Sequence, residues 1–293
     1  MTPAVEVLCV AVLALAVFLR ARGPAVVRAG ERAVGIGLGA VLTEHSCIAA
    51  YGFYGYDAGW HGWAGHVPLL VAAIWVVVVL SADDIAAAIR QPARSQVGHA
   101  ALVGALVVAD ASLVEPIATH VGLWTWSEPG VFGVPWIGIL GWGYFAGATT
   151  FWGRALAPAA AEPTPSHAGA AHALQATGVR AVAVALASTA TTHVLLLATW
   201  WGGLRWLGRG AAPVDGVAGT AWALAAVAVV TIVGRGVGVP VSLLAPRLAP
   251  AAFFLGLLVA VPAGHALSWY ALAFVPPWVA LAAGGVHRGR RFR

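Results

Sequence analysis

Long apolar segments separated by short polar ones make up most of the chain. Because a helix of about 20 apolar residues crosses a bilayer, each segment predicts one membrane-spanning helix. Pro262, Pro276 and Pro277 interrupt the last segment, which is therefore either one span with an interfacial piece or two short spans. The pattern predicts an all-α, polytopic integral membrane helix bundle with eight or nine transmembrane helices. The predicted segments are 4–20, 33–54, 67–90, 98–121, 133–156, 178–201, 217–237 and 249–286.

Composition supports a membrane protein and excludes an ordinary soluble domain. The chain is 60% hydrophobic and only 9% charged, whereas soluble domains carry about 25% charged residues. The net charge is +5, but the arginines are scattered between apolar segments and gathered near the C-terminus. Since no basic stripe forms, we expect a lipid bilayer and a lipophilic molecule as partners, and no nucleic acid.

The positions of the arginines predict an orientation. Loop 20–32 contains four arginines, whereas loops 55–66 and 122–132 contain none. Because arginine-rich loops stay in the cytoplasm, the two arginine-free loops and the N-terminus are predicted outside. Arg205 and Arg209 do not fit this scheme. We therefore expect a multi-pass protein of the bacterial plasma membrane.

A segment rich in alanine and proline divides the chain. Residues 158–177 contain few large apolar side chains, which is typical of a flexible cytoplasmic linker. This linker would separate a motif-rich transmembrane half, 1–157, from a second transmembrane half with a basic tail, 178–293.

The first half contains a weak internal repeat. Val67-Pro68 precedes Trp75 and Val134-Pro135 precedes Trp142, with the same spacing in both cases. Each Val-Pro pair follows an aromatic loop, and each loop follows a predicted span that contains a glutamate, Glu44 or Glu115. Parallel repeats of this kind occur in membrane proteins, and chance matching in a sequence rich in Gly, Val and Pro is the competing explanation.

Acidic residues inside predicted spans are the main functional candidates. Glu44 and Asp110 lie near the middle of their spans, and Glu115 lies in the outer part of the fourth. A charged aspartate at a helix centre costs about 2.5–3.5 kcal/mol on insertion scales, so these side chains should face the bundle interior. Asp83 and Asp84, nearer the cytoplasmic end, could instead pair with Arg90 and Arg94. A purely structural role between helices is the alternative for all five.

An acid in an apolar pocket suits proton transfer to an alkene. Burial penalises the charged form of a carboxyl group, and aromatic faces stabilise the carbocation that protonation creates. Tryptophans and tyrosines are abundant near these acids, although an interfacial aromatic belt is the better explanation for any single tryptophan. Pro116 removes a helix hydrogen bond beside Glu115, so we expect a bend there that opens space.

One stretch of the chain resembles a known family. Glu115-Pro116 is followed by GLWTW, GVFGVP and LGW, and Glu44 is followed by YGFYGYD and VPLLVAAIW. This order resembles the carotenoid biosynthesis membrane proteins, which include the bacterioruberin and γ-carotene hydratases, over about residues 33–157. Two departures lie close to the presumed site: Glu115 replaces an aspartate, and Gly138 or its apolar neighbours replace an asparagine.

The resemblance implies hydration of a terminal C=C bond at a carotenoid ψ-end, without a cofactor. We predict Glu115 or Asp110 as the proton donor and Glu44 as the group that orients or deprotonates water. No metal site is expected, because no HxxxH or ExxH pair occurs in the spans. Predicted substrate-binding residues are His45, Tyr54, Tyr56, Asp84, Trp124, Trp126, Pro135 and Trp142.

Three other functions compete with hydration. A membrane terpenoid cyclase would use the same protonation step, with a second alkene capturing the cation. A prenyltransferase is disfavoured because ADDIAAAIR has paired aspartates but no further aspartate in register for Mg²⁺ and diphosphate. A proton-coupled transporter or pigment-binding membrane protein would also place carboxyl groups inside the bilayer.

Overall fold

A computed structural model describes residues 1–20, 26–89, 95–128, 130–157, 167–206, 238–261, 263–276 and 278–282. These residues form a helical bundle, as the apolar pattern predicts. Helices suit hydrocarbon because their backbone groups are hydrogen-bonded within the segment. A π-helical turn, Trp200–Leu204, continues the sixth helix. The helices are α1 (Thr2–Arg20), α2 (Val26–Tyr51), α3 (Leu69–Ile89), α4 (Gln96–His120), α5 (Trp136–Ala155), α6 (His167–Thr199), α7 (Val241–Ala260) and α8 (His265–Leu272).

The first six predicted spans correspond to α1 through α6. Among the described residues, six helices are long and apolar enough to cross a membrane: α1, α2, α3, α4, α6 and α7. Helix α5 is not one of the six, although it packs between α4 and α6, because its sequence is rich in Gly and Trp, which lower its mean hydropathy. The predicted span 217–237 lies outside the described residues, so the predicted total of eight or nine is untested.

The predicted start of the last apolar segment, 249, is wrong. Helix α7 begins at Val241 and includes Pro246, Arg247 and Pro250. An arginine in an apolar sequence usually marks the end of a span, but Arg247 is buried and paired with Asp110 on α4. This pairing lets the helix include a residue that the sequence pattern treats as a boundary.

Helix α6 begins at His167, within the predicted linker 158–177. The second part of that segment is therefore helical, because alanine is the strongest helix former. Residues 158–166 lie outside the described residues. Arg180 of α6 donates a hydrogen bond to Glu31 of α2, which ties the two halves of the chain together.

Small residues allow two helix pairs to approach closely. A Cβ on Gly104 of α4 would lie 2.8 Å from the carbonyl oxygen of Gly143 on α5, and the reverse contact would be 2.9 Å. Between α2 and α6, the Thr43 and Thr189 hydroxyls are hydrogen-bonded at 2.9 Å. Small residues and interhelical polar bonds are the usual basis of helix packing in membranes.

The two arginine-free loops meet at one end of the bundle. Strand β1 (Tyr54–Tyr56) pairs with β4 (Trp124–Trp126) in an antiparallel ladder, and β2 (Trp63–Ala64) pairs with β3 (Val67–Pro68). The β1–β4 ladder confirms that both loops lie on the same side of the bundle. It also fixes where their aromatic side chains are presented.

Candidate active site

A large apolar cavity lies between the helices and the β1–β4 ladder. Its empty volume is about 1480 Å³, counting the space at its open mouth. Side chains of α1 through α7 contribute to the wall, which is mostly aliphatic and aromatic. Three carboxyl groups line it: Glu44, Asp110 and Glu115. The expectation that these acids face a shared apolar space is therefore met in the described residues.

Glu115 is held by three indole groups. Its Oε2 atom accepts hydrogen bonds from Trp124 Nε1 at 2.8 Å and Trp126 Nε1 at 2.9 Å, and Oε1 accepts one from Trp142 Nε1 at 2.7 Å. Trp124 and Trp126 both reach the acid because residues two apart lie on one face of a strand. Only 3% of Glu115 is exposed. Since a carboxyl group has about four lone-pair positions, one remains on Oε1.

Glu44 is held in the same manner by side chains of β1, the other strand of the ladder, and of α3. The Tyr56 hydroxyl donates to Oε2 and Trp75 Nε1 donates to Oε1, and Tyr54 is a further hydrogen-bond partner. Burial, and then the neighbouring Glu44 carboxyl group, raise the pKa of Tyr54 and Tyr56 well above its ordinary value. Both hydroxyls therefore keep their protons and act as hydrogen-bond donors.

The two glutamate sites are related by the predicted repeat. Each glutamate lies near the end of a helix, receives bonds from a short aromatic strand, and receives one more from a tryptophan in the following helix. The ladder register sets Tyr54 opposite Trp126 and Tyr56 opposite Trp124. Equivalent positions in the two repeat units thus have equivalent contacts, which supports a repeat over chance matching.

Asp110 has a different environment from the two glutamates. Its Oδ2 atom accepts a hydrogen bond from Nη2 of Arg247 on α7, and the two form an ion pair. Arg247 also lines the cavity and is only 5% exposed. Sequence reasoning missed this arginine. The signal was present, since a single Arg in an apolar segment needs a buried acid as partner.

Five of the eight predicted substrate-binding residues line the cavity: Tyr54, Tyr56, Trp124, Trp126 and Trp142. The other three, His45, Asp84 and Pro135, are not among the described residues that line the cavity. His45 stacks on His66 with ring centroids 5.0 Å apart and accepts the backbone N–H of His66 at 3.2 Å. Pro135 is the residue before α5. Asp84 adjoins Asp83 on α3, away from the wall.

Asp83 is the centre of a separate ionic cluster. Arg32 Nη1 lies 2.7 Å from Oδ2, Arg154 Nη2 lies 3.3 Å from Oδ1, and His99 Nε2 also contacts Oδ1. These partners come from α2, α5 and α4, so the cluster joins four helices. The sequence suggested Arg90 and Arg94 as partners, and both lie outside the described residues. The arrangement indicates a structural role for Asp83.

Two residues of the site lacked an assigned role in the sequence. Trp75 was noted only as part of the repeat, although its indole bonds Glu44. Gly138 provides space for Trp126, because a Cβ there would lie 2.7 Å from the indole ring. The resemblance expects an asparagine at Gly138 or one of its apolar neighbours, and the position of Trp126 depends on the glycine at 138.

The described residues contain no group of three or more His, Cys, Asp or Glu side chains arranged to hold a metal ion. The acids of the cavity instead bond aromatic donors or Arg247. Such an arrangement can hold protons at defined atoms beside an apolar molecule.

No curated protein and no solved structure matches the chain. The sequence model of one family, described as carotenoid biosynthesis protein, matches residues 1–204. That range contains both glutamates and all their aromatic partners, whereas Arg247 lies beyond it. The chain therefore belongs to the carotenoid biosynthesis protein family, and its role lies in carotenoid biosynthesis.

Proposed function

We propose that the protein is a membrane-embedded carotenoid hydratase that adds water to the terminal C=C bond of a carotenoid ψ-end. One observation carries this proposal: Glu44 and Glu115 line the same apolar cavity, and aromatic donors hold each of them. Hydration needs one group that gives a proton and another that takes one. An apolar cavity with two acids supplies both beside a polyene.

We assign the role of proton donor to Glu115. Three of its lone-pair positions accept indole N–H groups, which leaves one position on Oε1 for the transferable proton. That proton forms a C–H bond with one alkene carbon, and the other carbon becomes a tertiary cation. The three indole N–H groups then hydrogen-bond the carboxylate that remains.

Aromatic faces stabilise the cation until water captures it. Trp75 and Trp142 both line the cavity beside the glutamates that they bond, and we assign their rings to stabilise the positive charge. The oxygen of a water molecule bonds to the cationic carbon, and Glu44 takes the released proton. Transfer of that proton back to Glu115 restores the starting state, so each cycle consumes one water.

Asp110 receives no proton-transfer role in this scheme. Its carboxyl group is already engaged by Arg247, and it lies five residues before Glu115 on α4. At about 1.5 Å per residue, the two positions are separated by about 7.5 Å along the helix. We place Asp110 at a second polar position in the cavity.

We place the protein in the bacterial plasma membrane as a multi-pass protein, since six of the described helices have the length and composition of spans. The bilayer would then deliver the carotenoid. Residues of α1 and α7, such as Val5 and Phe254, line the cavity, so the substrate would contact both helices. The proposed steps use side chains and water only.

Expression in a lycopene-producing host tests the proposal. Pigments are separated by chromatography and their masses are determined by mass spectrometry, with the host carrying the empty vector as control. Hydration predicts a product heavier than the substrate by one water. A product of unchanged mass would indicate cyclisation and contradict hydration. Unaltered pigments, with the protein shown to be present in the membrane, would also contradict it and favour transport or pigment binding.

A further inference from the structure

The cavity has a second polar position at Asp110 and Arg247, away from the two glutamates. Arg247 uses Nη2 for Asp110, while its Nε and Nη1 atoms are buried and have no hydrogen-bond partner among the described residues. The guanidinium carbon lies 5.4 Å from the ring centroid of Trp278. A buried donor without a partner costs free energy, so two such donors in a cavity wall indicate that a ligand completes them.

The charge of this position selects the kind of ligand. Asp110 balances the charge of Arg247, and Arg247 is the one basic side chain among the described residues that line the cavity. The other ionisable groups of the wall include Glu44 and Glu115. A diphosphate or carboxylate would bring further negative charge into an apolar space without a counter-ion. A neutral oxygen, in contrast, can accept a hydrogen bond from one of these N–H groups without adding charge.

We propose that Arg247 binds a hydroxyl or carbonyl oxygen of the substrate, so that the cavity takes an oxygenated isoprenoid in preference to a pure hydrocarbon. This inference rests on the isoprenoid-binding cavity of the proposed function. Asp110, the partner of Arg247, lies about 7.5 Å along α4 from Glu115, so this oxygen is bound away from the reacting alkene. Helix α7, beyond the range that matches the family, thereby sets a preference that the two glutamates do not.

Binding to the purified full chain in detergent tests the inference without depending on turnover. Glu115→Gln serves as the background, so that no reaction occurs. The probes are lycopene and a lycopene derivative with one hydroxyl group near its end, and quenching of tryptophan fluorescence reports binding. A hydrogen bond to a charged group predicts about tenfold tighter binding of the hydroxylated probe.

Two variants assign the preference to Arg247. Arg247→Lys keeps the charge beside Asp110 but lacks the Nε–H and Nη1–H donors. The double variant Asp110→Leu/Arg247→Met replaces the pair with apolar groups, which proteins often tolerate. Both should bind the two probes equally. Arg180→Lys makes the same change at the Glu31 pair, outside the cavity wall, and should keep the preference.

Equal binding of both probes by the background protein would overturn the inference, as would a full preference retained in the double variant. If the background protein binds both probes equally, and Arg247→Lys in the protein with Glu115 intact slows hydration, the two donors hold a water molecule instead. The proposed function fails separately, through the absence of a hydrated product in the host, and a preference measured by binding would survive that failure.

Discussion

Trp75 and Trp142 lie with ring centroids 4.8 Å apart, and each donates its indole N–H to a different glutamate, Glu44 or Glu115. The two residues hold equivalent places in the internal repeat. Their contact joins the two acid sites into one aromatic wall. A polyene in the cavity would therefore meet both acids across the same pair of rings.

Removing either carboxyl group should stop the reaction. Glu115→Gln and Glu44→Gln keep the size of the side chain but cannot exchange the proton, and each should lower product formation by about 10²- to 10⁴-fold. Chromatography of the pigments in the lycopene-producing host measures this. Glu6→Gln, at a residue that bonds His61 outside the cavity wall, is the matched control and should remain active. Full activity in both cavity variants would refute the assignment.

The indole donors should matter in a symmetric manner. Trp75→Phe and Trp142→Phe keep an aromatic ring but remove the N–H that holds Glu44 or Glu115. We expect a roughly tenfold loss of product in each, since one hydrogen bond to a charged group is lost. Trp152→Phe removes an indole bond to Thr191 elsewhere in the bundle and serves as control. An effect of Trp152→Phe equal to the other two would show a general loss of folding.

Gly138 should control the position of Trp126. A Cβ at residue 138 would lie 2.7 Å from the indole ring, so Gly138→Ala should displace Trp126 from Glu115 and lower product formation. Gly153→Ala provides the control in the same helix, because a Cβ there meets nothing within 4 Å. Equal activity of the two variants would contradict the proposed contact. Membrane content of each variant, measured by immunoblot, normalises the activities.

The close approach of α4 and α5 should depend on Gly104. A Cβ there would lie 2.8 Å from the Gly143 carbonyl oxygen, so Gly104→Ala should destabilise the protein by about 1–3 kcal/mol. Thermal unfolding in detergent measures the change. Gly178→Ala in α6, where a Cβ has open space, should unfold at the wild-type temperature. A wild-type midpoint for Gly104→Ala would show that the helices adjust without cost.

Asp83 should affect stability and leave the chemistry intact. Asp83→Asn removes the charge that Arg32, Arg154 and His99 share, and breaking a buried pair costs about 3–5 kcal/mol. We expect a lower unfolding temperature, with the same product per folded molecule. A changed product, or loss of product from folded protein, would instead place Asp83 in the reaction.

Much of the bundle follows from the sequence because the bilayer imposes a local rule. Runs of about 20 apolar residues must become helices in hydrocarbon, which located α1 through α6 without any knowledge of contacts. The same rule failed at α7, where Arg247 marks a boundary in the sequence. Only a partner on another helix, Asp110, shows that this arginine belongs inside.

The sequence by itself also determined that Glu44, Asp110 and Glu115 face the interior, because an acid in lipid is too costly to leave without partners. It could not determine those partners. The three indoles of Glu115 come from a strand and a following helix, and Trp75 reaches Glu44 from across a loop. Hydrogen bonds between such distant segments depend on the β1–β4 register and on helix packing, which only the tertiary structure decides. Periodicity reports which face of a helix is buried, but not which side chain of another element lies against it.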